Sequence, residues 1–213
     1  HEALPPEIHD TPFVVVGGVY SGDVDDGMKV MQPLRSLARP LVDISQPLPF
    51  SAVQSAFDPF FVRGTLRSYW KSTYLHEVTD EVIDLLARKA TERPSKRTFA
   101  PITFLMGGAI NRVDPGATAY SERSADWMLS IDGNWDDPAD DDAVISWVRD
   151  TWAEFARFST GGVYLNFRSL SDEETGSDVA NAFGENMRRL AEIKAKYDPT
   201  NFFRLNNNIV PGG

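Results

Sequence analysis

Residues 65–74 alternate one by one in chemistry, and that alternation limits the architecture more than any other feature of the chain. Leu66, Ser68, Trp70, Ser72 and Tyr74 fall on one side, and Arg67, Tyr69, Lys71 and Thr73 on the other. Side chains of a pleated strand point to opposite faces in turn, so this run is a strand between two unlike surroundings. Strand-length runs recur at residues 13–20, 41–48, 98–113 (interrupted at Gly107-Gly108), 127–131 and 163–167. Helical spacing separates them. Asp23 caps a run with Val24, Met28, Met31, Leu34 and Leu37 at helical intervals, stopped by Pro40. A short helix is expected over 49–57 and another from Thr79 to Ala90. A longer one carries Val144, Trp147, Val148, Trp152 and Phe155, and a last one spans 177–197. Helices fall irregularly between strands, which predicts an α+β fold: one antiparallel sheet covered on one face by helices.

Composition narrows the function. The 213-residue chain carries a net charge of -10. Such a surface repels phosphate backbones, so nucleic acid is not an expected partner. No run of apolar residues reaches the ~18 that a membrane-spanning helix needs. Cysteine is absent and there are three histidines, His1, His9 and His76, which excludes disulfides, thiolate nucleophiles and histidine-rich metal sites. The Asp-rich segment 136–142 lacks the glycine and glutamate spacing of a calcium loop and reads as a solvated helix N-terminus, where negative charge is favourable. Phosphate-binding glycine loops and G-x-S-x-G elbows are missing. The opening residues 1–11 read as a linker, and the chain as a fragment. The compartment stays open between cytoplasmic and secreted.

The C-terminal third carries ordered motifs. Gly161-Gly162-Val163-Tyr164-Leu165-Asn166-Phe167 is followed by Ala182-Phe183-Gly184-Glu185-Asn186-Met187-Arg188-Arg189-Leu190. A Lys-x-Lys-Tyr-Asp-Pro run then continues from Lys194 to Pro211. Together they resemble the berberine-bridge-enzyme-like flavoproteins. Weaker similarity extends upstream through Gly18 to Asp23, Pro33-Leu34-Arg35, Pro47 to Phe50, Tyr69 to Ser72 and Gly107 to Ile110. The resemblance implies a substrate-binding α+β domain over 1–166. It also implies a C-terminal segment, 167–213, that returns to an N-terminal FAD-binding domain of the same enzyme not contained in this chain. FAD is the implied cofactor, held mainly by that domain, and the implied partner is a small-molecule substrate.

The site residues implied by the resemblance centre on Tyr164, which would take a substrate hydroxyl proton beside the flavin. Lys71 would stabilise the reduced flavin. Asn166, Asn206 and Asn208 would contact the cofactor; Asn offers both donor and acceptor groups. Tyr69, Trp70, Tyr120 and Trp127 would line the substrate pocket. The glutamate base of the plant members falls near Arg112 here, and the carboxylate that some bacterial relatives place before Gly-Gly is replaced by Phe104 or Leu105. A hydroxyl-bearing substrate fits this pattern better than an amine. The alternative is a binding module that kept the sheet and lost the cofactor.

Overall fold

The structure is a computed structural model that describes residues 5–9, 13–167, 175–205 and 207–212. The chain divides into two compact units, His1–Thr65 and Leu66–Gly213. The boundary expected near residue 166 falls within the second unit.

The first unit contains α1 (Val24–Arg35) and the short α2 (Phe50–Gln54). The Asp23 carboxylate accepts the backbone N–H groups of Asp25 (2.9 Å) and Asp26 (3.2 Å), satisfying donors that a helix start leaves open. α1 ends at Arg35, before Pro40, with Ser36 as its cap. The runs 13–20 and 41–48 were expected as strands and belong to no ladder. Val14 is 90% and Ile44 77% exposed. β-branched residues favour strands through packing against a neighbouring strand, and neither run has one among the described residues.

The second unit holds the sheet. β1 (Arg67–Leu75), β2 (Ile102–Leu105) and β3 (Trp127–Trp135) form an antiparallel array in the order β1-β3-β2. Cross-strand neighbours include Trp70 with Asp132 and Ser72 with Ser130. α3 (Asp80–Thr91) starts at Thr79, whose hydroxyl accepts the Val82 N–H, and α4 (Asp141–Phe155) follows the acidic lead-in. Both helices cover one face. There Leu75, Leu129, Ile131 and Trp135 meet Val82, Leu85, Val144, Val148 and Phe155 in the main core. This is the helix-covered antiparallel sheet that the alternation predicted.

Gly133 marks where helix and sheet approach most closely. A Cβ there would lie 2.7 Å from a Val148 methyl, 2.8 Å from a Val144 methyl and 2.9 Å from the Tyr69 carbonyl oxygen. Gly133→Ala is therefore expected to destabilise the fold by about 1–3 kcal/mol through overpacking, read by chemical denaturation.

The remaining elements differ from expectation in definite ways. β2 occupies four residues of the long run expected over 98–113. Thr98 instead uses its hydroxyl to bond the Asn134 carbonyl and N–H, and Gly107-Gly108 opens a turn, with Gly108 at φ +75°. β3 continues four residues beyond its expected end at Ile131. The expected strand 163–167 closes into a 3-10 turn at Leu165–Phe167, with the Phe167 N–H bonding the Tyr164 carbonyl. The expected helix 177–197 is two helices, α5 (Thr175–Phe183) and α6 (Asn186–Tyr197), separated at Gly184. That glycine sits at φ +50°, the left-handed conformation that ends helices.

Candidate functional site

The face of β1 and β3 turned away from the helices is buried and polar. Trp70, Ser72 and Tyr74 point there, with Met128, Ser130, Asp132 and Asn134 beside them. Segment 159–167 is fastened along β1. The Thr160 N–H bonds the Tyr74 carbonyl at 2.9 Å, and Thr73 and Ser159 share a hydroxyl contact at 2.5 Å. Gly161 adopts φ +88°. At Gly162 a Cβ would come within 3.1 Å of both Glu122 Oε2 and the Tyr74 ring, so a larger residue would push these side chains aside by a few tenths of an ångström.

Ser72 then holds the critical residue. Its hydroxyl accepts the Tyr164 N–H and donates to the Tyr164 carbonyl, each at 3.0 Å, as a strand partner would. Ser72 is 2% exposed, so water does not replace it easily. Ser72→Ala removes the partner of the Tyr164 N–H, while the Tyr164 carbonyl keeps the Phe167 N–H, and is expected to destabilise the protein by about 1–3 kcal/mol in a denaturant titration.

Held in this way, the Tyr164 ring meets Phe167 (5.2 Å between centroids) and Tyr120 (6.5 Å), both edge-on. Asn166 Nδ2 donates to the Tyr164 hydroxyl at 2.9 Å. A cleft of about 350 Å³ opens beside them, walled by Tyr120, Tyr164, Leu165, Asn166, Phe183 and Asn207. A wider cleft of about 810 Å³, with Tyr74, Glu122, Arg123 and Asn186 on its walls, lies on the other side of Val163.

The electrostatics follow from burial. Tyr74 and Tyr120 are both pushed above the ordinary tyrosine range, chiefly by burial, and they perturb each other's protons. Neither hydroxyl has a hydrogen bond of ordinary geometry. Burial also acts to raise Glu122, but donors from Ser124, Ala125 and Thr160 outweigh it and keep this carboxyl below its usual value. Asp132 behaves oppositely: burial raises it to about 6, against one opposing hydrogen bond from Ser130.

The structure gathers some expected site residues and separates others. Tyr164, Tyr120 and Asn166 meet at the smaller cleft. Trp70 lies on the same face, donating Nε1 to Asn134 Oδ1 at 3.0 Å, with Phe167 edge-on to its ring at 5.9 Å. Asn208 Oδ1 is buried and has no donor among the described residues. Asn206 lies outside the described residues. Tyr69, Lys71 and Trp127 occupy the opposite, helix-covered face. The Tyr69 hydroxyl accepts from Arg149 Nε at 3.2 Å, Lys71 Nζ lies 4.6 Å from the Trp152 ring centroid, and Trp127 packs on the main core. Strand alternation itself sends residues 69 and 71 away from 70 and 72. Among the described residues no cluster of His, Asp or Glu is arranged to hold a metal, and no helix is long and apolar enough to cross a membrane.

Three functional candidates were not singled out in the sequence: Ser72, Glu122 and Asp132. Ser72 shares the alternation phase of Tyr74, which was the available signal. Asp132 was hidden because the strand was expected to stop one residue before it.

Residues 163–210, the segment pinned along β1 together with the final helix, match the family model described as Berberine and berberine like. Over most of its length the chain is similar to FAD-linked oxidoreductases and berberine-bridge-enzyme-like proteins. An FAD-linked oxidoreductase of Dictyostelium discoideum is 22% identical over 199 residues, covering 93% of this chain and 42% of that protein. Aclacinomycin-N/aclacinomycin-A oxidase of Streptomyces galilaeus is 30% identical over 123 residues, 50% of this chain and 22% of its own length. The fold is similar to that of BBE-like #28 from Arabidopsis thaliana, with a TM-score of 0.68 at 18% identity, over 91% of this chain and 46% of that one. The chain thus spans less than half the length of the relatives it matches.

Proposed function

We propose that this chain supplies the substrate-facing wall of an FAD-dependent oxidoreductase acting on a small hydroxyl-bearing organic molecule. One observation carries the reading most: Tyr164 is fastened by its backbone to Ser72, while its hydroxyl stands beside an open cleft and receives the Asn166 amide. A tyrosine that is to accept a proton near neutral pH needs a partner that stabilises its charged form, because its ordinary pKa is about 10. The Asn166 amide donates to the Tyr164 hydroxyl at 2.9 Å.

The residues present fit a flavin edge. Aromatic walls from Tyr120, Tyr164 and Phe183 suit a flat heterocycle, and Asn166 and Asn207 on the same walls carry amides that can meet polar ring atoms. Residues outside this chain would hold most of the cofactor. Bound here, the flavin would supply an acceptor for hydride from the substrate C–H. The protein's own part is to orient the substrate oxygen towards Tyr164, exclude water behind Phe167 and Tyr120, and take up the hydroxyl proton. Tyr69 and Lys71 belong to the helix-side packing in this reading. The named activity of the Streptomyces relative, an oxidase, agrees with it.

The test is anaerobic mixing of the flavin-loaded enzyme with a panel of sugars and secondary alcohols. Bleaching of the oxidised flavin band by at least one of them is expected. A chain that binds these compounds yet never bleaches flavin is a binding module instead.

A further inference from the structure

Glu122, on the wall of the wider cleft, is an ion without a counter-ion. Its Oε1 accepts the Ser124 N–H (2.9 Å), the Ser124 hydroxyl (2.8 Å) and the Ala125 N–H (3.0 Å), which lock the carboxylate in orientation. Oε2 has one donor, the Thr160 hydroxyl, at a long 3.4 Å. Among the described residues no Lys, Arg or His forms an ion pair with it. Arg123, its neighbour in sequence, is turned elsewhere. Its two terminal nitrogens bond the Ile110 carbonyl (2.9 Å) and the Thr118 hydroxyl (3.0 Å), and its guanidinium lies 4.5 Å from the Tyr120 ring centroid. A half-buried charge in this state is unfavourable unless something pairs with it.

Gly162 sets the surroundings of Oε2. The point where a side chain would begin on Gly162 lies 3.1 Å from Glu122 Oε2, 3.1 Å from the Tyr74 ring and 3.5 Å from the Thr160 hydroxyl oxygen. A carboxylate oxygen, a hydroxyl and an aromatic ring therefore converge on one bare stretch of backbone, and all four residues line the same cleft. Its volume of about 810 Å³ is within the roughly 300–1,000 Å³ of small-molecule sites. Further unmet groups stand in the walls. Asn111 Oδ1 is buried with no donor among the described residues, and Tyr74 is 1% exposed with its hydroxyl short of a proper partner. Glu185 adds a second carboxylate. The free capacity is mainly accepting and the charge is negative, so an anion is repelled and a neutral molecule leaves Glu122 unpaired. A primary ammonium group, with three donors and no acceptor, fits both. A metal ion does not, because among the described residues no three acidic or histidine side chains gather to hold one.

We propose that this cleft binds a small organic molecule through a primary ammonium group held against Glu122 Oε2. The ammonium donates to Oε2 and to the Thr160 hydroxyl oxygen, and the Tyr74 ring beside them attracts a cation. Val163 and Ala182 line both this cleft and the smaller one at Tyr164, and so form the partition between them. The wider cleft takes no part in the proton and hydride steps described above, so its ligand is independent of the oxidoreductase reading.

The experiment titrates butylammonium chloride into the flavin-loaded enzyme near neutral pH, followed by ligand-observed NMR, with sodium butyrate as the anionic counterpart. Saturable binding of butylammonium and none of butyrate is expected. Glu122→Gln keeps an oxygen for the Ser124 and Ala125 donors but removes the charge. It is expected to weaken butylammonium at least about tenfold, the scale of one hydrogen bond to a charged group. A crystal structure of the unaltered enzyme with butylammonium gives a check that depends on no variant: the nitrogen is expected within about 3.2 Å of Glu122 Oε2. Failure of butylammonium to bind, equal binding by Glu122→Gln, binding of butyrate as tight as that of butylammonium, or a nitrogen seated beside Tyr164 instead each overturns the inference. None of these outcomes touches flavin bleaching, which tests the oxidoreductase reading separately.

Discussion

Tyr164→Phe is expected to lower the rate of flavin reduction by about 10²–10⁴-fold, the range for loss of a positioned acid–base group. The protein should remain folded, because the features that place residue 164 do not involve its hydroxyl. Ser72 bonds the Tyr164 backbone, and the edge-on contacts with Phe167 and Tyr120 involve the ring. Only the hydrogen bond from Asn166 is lost, on a half-buried side chain where water can substitute. The measurement is anaerobic rapid mixing, with a thermal melt on the same samples. A large loss of rate with little change in melting temperature assigns the effect to chemistry. A similar rate in the variant means that another group takes the proton.

The second large effect concerns stability. Asp132 is raised from 3.8 to about 6 by burial. A carboxyl more easily protonated in the folded than in the unfolded state favours folding at low pH. That contribution is fully present below about pH 3.8 and is lost as pH rises through about 6. The difference between the two values corresponds to about 3 kcal/mol. Other carboxyls titrate in the opposite sense: Glu154 and Asp198 are held low, mainly by hydrogen bonds from Lys89 and Lys194. The clean measurement is therefore the difference between Asp132→Asn and the unaltered chain at each pH. Their unfolding free energies should nearly coincide at pH 4 and separate by about 2–3 kcal/mol at pH 7.5, with the asparagine form the more stable. A constant gap across that range would show that Asp132 is not a raised carboxyl.

The parts of this fold that were legible in sequence are those governed by local periodicity. The alternation over residues 65–74 correctly anticipated β1, and the caps at Asp23 and Thr79 correctly placed the starts of α1 and α3. Failures came where a non-local partner decides. The runs 13–20 and 41–48 have strand composition but no ladder to join. Residues 163–167 have strand composition as well, yet Ser72 already supplies the partners of Tyr164, and the chain turns after it. The break at Gly184 was visible as a glycine, but the apolar periodicity on either side concealed it.

The site shows the same division. Motif resemblance pointed to Tyr164 and Asn166, which do meet. Lys71 was named because the resemblance implies a lysine near the flavin at this strand, and alternation places it on the face of the sheet opposite Trp70. Asp132 could not be valued from sequence at all, since its raised proton affinity arises from the burial of β3 beneath residues distant in the chain.

The central claim is that the polar face of the sheet, with Tyr164 at its edge, looks onto a flavin. A crystal structure of the flavin-loaded enzyme with a bound hydroxyl substrate tests it directly. The account predicts the Tyr164 hydroxyl within about 3–3.5 Å of the substrate oxygen, with the isoalloxazine beyond it on the Asn166 side. An isoalloxazine lodged on the helix-covered face, near Lys71 and Trp152, would contradict it.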